Sequence, residues 1–138
     1  MSVTIARDIS LAVAGNIDAA VRASLEQSAR LIAQEAQESI RARSKSGRQY
    51  SRGGRSWTAS APGEAPANVT GALADSISSR LESPHTAVVV ATGELAHTME
   101  FGTSGGKIAP RPFMMPAAEA KKGEVAALVT DAIKKATS

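Results

Sequence analysis

A chain of 138 residues is one domain's worth of sequence, and with only 3% aromatic residues its core must be built mainly from Ala, Val, Leu and Ile. No cysteine excludes disulfides and thiolate metal sites, and with only His85 and His97 available no structural zinc site is expected. A net charge of +3 suits an acidic or polyanionic partner, while no stretch reaches the roughly 18 apolar residues that span a bilayer, so no membrane contact is expected.

At the start, Val3 and Ile5 alternate with Thr4 and Ala6, which predicts a short strand or extended arm. The apolar run Ile9–Ala14 is too short and too poorly flanked for a cleavable leader, so the expectation is an unsecreted protein. A long helix is predicted from Ile17 to Arg43. Asn16 is its cap, Asp18 lies at the positive end of its dipole, and Ile17, Val21, Leu25, Ser28, Leu31, Ile32, Ala36 and Ile40 recur at helical spacing. Arg22, Glu26, Arg30, Glu35 and Glu38 are assigned to its solvated face.

From Arg41 to Arg55 the chain has Arg41, Arg43, Lys45, Arg48, Arg52 and Arg55 and no acid, interleaved with Ser and Gly. Such a segment repels itself and buries little apolar area, so a mobile loop is expected over about 43–60, ordering against DNA phosphates or an acidic protein. Tyr50 and Trp57, the only Tyr and Trp, lie in it. A turn-rich run, Ser60–Gly71, follows. The alternation of Ile77, Ser79 and Leu81 predicts one strand and Ala87–Ala91 another, joined by Ser83-Pro84-His85 into a hairpin. Glu94–Phe101 reads as a short helix or turn with Leu95 and Met99 inward and Phe101 as a further candidate for that side. A last helix is predicted over Ala117–Ala136, with Lys134 and Lys135 favourably placed at its C-terminal end. The sum is an α+β fold of one domain, 1–138, with long N-terminal and C-terminal helices on a small, mainly antiparallel sheet. Its thin core favours a homo-oligomer.

The connector Glu100–Ala118 is too constrained for an ordinary loop: both Phe, two of the four Met, three Gly and three Pro fall within it. Glu100, Phe101, Arg111, Phe113, Met114 and Met115 are therefore candidates for a subunit interface, with a packed corner of the core as the competing reading for the Phe and Met side chains. Glu100 is expected to be a partly buried acid paired with a cation such as Arg111. Catalytic motifs fail on inspection. Gly102–Lys107 departs from the phosphate-binding pattern, which would need Gly at Phe101 and Ser or Thr at Ile108. Ser104-x-x-Lys107 lacks its companion motifs. No catalytic residue, cofactor or metal is expected.

The order of segments resembles the small tail-component (neck or tail-completion) proteins of long-tailed double-stranded DNA phages and their prophages. It is carried by the long helix ending in a basic stretch, Ala61-Pro62-Gly63-Glu64-Ala65-Pro66-Ala67 with Thr70–Ile77, the Glu100-Phe101-Gly102-Thr103 turn, and Arg111-Pro112-Phe113-Met114-Met115-Pro116-Ala117. These span most of the chain from about Ile17. One departure is Leu95-Ala96-His97, where the family often shows Tyr-Ala. The resemblance implies a non-enzymatic virion protein of the head–tail junction, present in the host cytoplasm during assembly. It implies a ring, six-membered by family analogy, that contacts head-closure and tail proteins and, non-specifically, DNA in the channel. The alternative is a standalone nucleic-acid-binding protein using Arg41–Arg55.

Overall fold

The computed structural model describes residues 2–6, 15–93 and 95–137. The apolar run Ile9–Ala14, and Glu94 at the start of the predicted short helix, lie outside them. The elements in chain order are β1 (Ser2–Ala6), α1 (Gly15–Arg41), β2 (Gln49–Arg52), β3 (Arg55–Thr58), α2 (Ala72–Asp75), β4 (Ile77–Ser83), β5 (Thr86–Ala91), α3 (Ala96–Phe101) and α4 (Met114–Thr137). β1, β5 and β4 form one antiparallel sheet in that order, and β2 with β3 forms a separate hairpin. This is the α+β fold expected of the pattern.

α1 is the spine. Val21, Leu25, Ile32, Ala36 and Ile40 form its buried stripe, against α4 on one side and β4 and β5 on the other. Ala29 and Ala36 are fully buried, and their small side chains let neighbouring elements approach closely. Ser24, Ser28 and Ser39 are also buried, each hydroxyl donating to a carbonyl one turn back at 2.7–2.8 Å, so the polar positions of the stripe are satisfied within the helix. The sheet contributes Ile77, Ala87, Val89 and Ala91, and the C-terminal region Phe113, Met114 and Val129.

One local expectation changes, and three further contacts tie the predicted elements together. Glu35, assigned to the solvated face of α1, is buried and ion-paired with Arg43. Arg22 pairs with Asp18 at 3.2 Å, where the dipole-facing acid meets a cation one turn on. His85, in the turn between β4 and β5 as expected, has its Nε2 2.8 Å from Asp18 Oδ1, which fastens that turn to the start of α1. Gln37 Nε2 donates to the carbonyls of Ala74 and Ile77 at 3.3 and 3.2 Å, locking α1 onto the entry to β4.

Candidate interaction surfaces

The Glu100–Ala118 connector is built around one carboxylate. Helix α4 begins at Met114, so the N–H groups of Phe113, Met114 and Met115 have no carbonyl partner within the helix, and Pro116 at the next position has no N–H to satisfy. Glu100, 4% exposed at the end of α3, accepts all three: Oε1 from Phe113 N (3.0 Å) and Met114 N (2.8 Å), Oε2 from Met115 N (3.2 Å). A negative group also suits the positive end of the α4 dipole. The expected Glu100–Arg111 pair does not form. Arg111 donates from Nε to Ser60 O (3.1 Å) and from Nη1 to Ala109 O (3.0 Å), bracing the connector against the loop before α2. Between them Gly102 turns the chain at φ 73°, and a Cβ there would lie 2.6 Å from Ile108 O.

The geometry divides the predicted interface residues. Phe113 and Met114 are 1% and 0% exposed and fill the chain's own core, so they cannot anchor a second subunit; the cap draws both inward. Phe101 and Met115, on either side of the capped Glu100, are 55% and 58% exposed. Leu95, the residue before α3, and Phe101, its last, do not point inward: Leu95 is 59% exposed, and Phe101, 55% exposed, packs obliquely on His97 at 4.9 Å between ring centroids. A helix of six residues has one buried side, and Ala96 and Glu100 occupy it.

The stretch expected to be a mobile basic loop contains the hairpin β2–β3. Gly53 and Gly54 take φ of 58° and 79°, the two-residue turn whose twist suits antiparallel strands. The register pairs Tyr50 with Trp57 and Ser51 with Ser56. The Tyr50 and Trp57 rings stack at 5.8 Å, and the Ser51 and Ser56 hydroxyls meet at 3.2 Å. Those contacts define two faces. Strand alternation puts Arg48, Tyr50 and Arg52 on the side of Trp57 and Ala59, and Gln49, Ser51, Ser56 and Thr58 on the other. Gly53-Gly54 between two four-residue strands was the sequence signal for this hairpin, hidden by the surrounding charge.

The base of this arm is pinned. Gly47 N donates to Ala59 O (2.9 Å) and Ala59 N to Arg48 O (2.8 Å), while Glu64 accepts from Ser46 N (3.0 Å), Ser46 Oγ (2.6 Å) and Ala61 N (2.7 Å). The Ser46 hydroxyl, followed by the Ala61 and Ser46 amides, holds the Glu64 carboxyl down at about 2. Of the six predicted cationic contacts, three serve the body of the fold: Arg41 pairs with Asp75, Arg43 with Glu35, and Lys45 Nζ donates to Ser39 O at 2.6 Å. Burial lowers the Lys45 pKa, with Glu64 opposing that effect and Arg43 adding to it. Arg48 and Arg52 are exposed on the arm, and the backbone of Arg55 pairs with that of Arg52.

Beside the arm lies a groove of about 550 Å³, lined chiefly by Trp57, Val69, Leu73, Leu95 and Met99, with Arg111 among its polar groups. No protein-family model, curated protein or solved structure matches the chain.

Proposed function

We propose that the chain is a non-enzymatic structural protein of the head–tail junction of a long-tailed phage or prophage, working by assembly with itself and with neighbouring head-closure and tail proteins. The observation that carries this reading is the junction of α3 and α4. The two segments most characteristic of the resemblance, Glu100-Phe101-Gly102-Thr103 and Arg111–Ala117, form one physical unit through the Glu100 carboxylate, which leaves Phe101 and Met115 exposed on its two sides. Two large apolar side chains on rigid elements are the kind of anchors that subunit contacts use. The projecting arm, with Arg48, Arg52, Tyr50 and Trp57 on one face, supplies a second contact element. In this reading self-association rests on Phe101 and Met115, and the arm engages a neighbour.

The test is complementation. A phage lacking this gene should accumulate separate heads and tails in lysates examined by electron microscopy, and added wild-type protein should restore joined particles. A Phe101→Ser/Met115→Ser variant with a native circular dichroism spectrum should restore few. Full joining in the absence of the protein would end the proposal.

A further inference from the structure

The arginine-bearing face of the arm runs directly into the apolar groove, because Trp57 and Ala59 belong to both. We propose that arm and groove together bind an extended, acidic segment of a partner protein, its carboxylates on Arg48 and Arg52 and one large apolar side chain in the groove. This rests on the reading of the arm as a contact element and names the chemistry of what it contacts.

Four observations lead there. Arg48 and Arg52 share one face four residues apart, about 13 Å along a strand, so acids at i and i+4 of an extended segment meet both. β2 is exposed along its whole length and has β3 as its one strand partner among the described residues, leaving an edge on which an extended chain can form backbone hydrogen bonds. The groove lies at the base of the arm, on the Arg48 side, so the apolar side chain belongs a few residues beyond the acid that meets Arg48. Its principal walls, Trp57, Val69, Leu73, Leu95 and Met99, are hydrocarbon or aromatic, and Val69 and Leu95 are left 38% and 59% exposed.

The same features select against other occupants. The polar side chains of the groove are Ser60, Asn68, Thr70 and Arg111; Arg111 already donates through Nε and Nη1 and Thr70 Oγ1 already accepts from Ala72 N, so a nucleobase would find few free partners for its hydrogen-bonding edge. A second copy of this chain, at net +3, would bring like charge to a cationic face. An acidic segment with a leucine or phenylalanine satisfies both halves of the surface.

The experiment is selection of a yeast-displayed library of random 12-residue peptides on the purified full chain. The expected consensus has two acids four residues apart and a large apolar residue two to four positions beyond one of them. Enrichment should fall at least tenfold on Arg48→Ala/Arg52→Ala and at least tenfold on Leu95→Ser, both made at exposed positions, and stay unchanged on Glu119→Gln. Emission of Trp57, the sole tryptophan, should shift to the blue when a selected peptide binds. Absence of that consensus, or enrichment indifferent to Leu95→Ser, overturns the proposal. So does a 20-residue oligothymidylate that binds at physiological salt through Arg48 and Arg52 with Leu95→Ser unaffected, because the face is then for nucleic acid. If the peptide result is negative while head–tail joining still requires Phe101 and Met115, the function proposed above stands and only this inference falls.

Discussion

Replacing Glu100 by alanine removes the acceptor for three backbone donors at once, two of them on the buried residues Phe113 and Met114. Loss of a helix cap costs about 0.5–2 kcal/mol, and a buried donor left unpaired about 1–3 kcal/mol. These penalties overlap because water can reach exposed Met115, so the expected cost is about 3 kcal/mol rather than their sum. Glu100→Gln keeps one oxygen for Phe113 and Met114 but turns an amide donor toward the Met115 N–H or loses that contact, and it removes the charge facing the dipole. About 1–2 kcal/mol is expected. The assay is urea unfolding followed by far-ultraviolet circular dichroism. With a slope of about 1.5 kcal/mol/M, Glu100→Ala should lower the midpoint by about 2 M at unchanged slope, with Glu100→Gln between it and wild type. A Glu100→Ala midpoint within about 0.3 M of wild type would refute the capping argument.

Gly102→Ala combines a left-handed φ with a Cβ 2.6 Å from Ile108 O, and should cost about 2 kcal/mol or more in the same urea experiment. Gly47→Ala would place a Cβ 2.4 Å from Ala59 O and force the two strands apart at the base of the arm; amide exchange of Gly47 and Ala59 should quicken while that of α1 does not. Gly53→Ala/Gly54→Ala should abolish the near-ultraviolet signature of the Tyr50–Trp57 stack and leave helix content intact, because both turn positions need positive φ. Glu64 is held at about 2 in the fold against 4.5 ordinarily, so its contribution is fully present above about 4.5 and is lost as the pH falls through about 2. Protection of the Ser46 and Ala61 amides should follow that window, and in Glu64→Gln the Glu64-linked part of this dependence should vanish.

What the residues announce and what they hide divides along sequence distance. α1, α4 and the β4–β5 hairpin are legible because their signals are local: apolar residues at helical spacing from Val21 to Ile40, a β-branched run at Val88–Val90, and a Pro-containing turn between two strands. α4 begins three residues before the predicted Ala117, since a proline in the first helical turn is tolerated and Glu100 supplies the missing acceptor. That acceptor is invisible locally because it lies 13–15 residues from the amides it caps. With it goes the fate of Phe113 and Met114, which the sequence offers equally as surface anchors or as core. The β2–β3 hairpin is hidden in the sequence because six cations argue for a mobile loop where Gly53-Gly54 specifies a two-residue turn. Arg41, Arg43 and Lys45 look available in sequence, but Asp75, Glu35 and the Ser39 carbonyl claim them from other turns of the fold.

Light scattering on the purified chain across a concentration series, with Phe101→Ser/Met115→Ser alongside, tests the assembly account most directly. The account predicts a discrete multimer for wild type that falls to monomer in the variant. A wild-type protein that stays monomeric at the highest concentration, paired with a variant that joins heads to tails as well as wild type does, would contradict it.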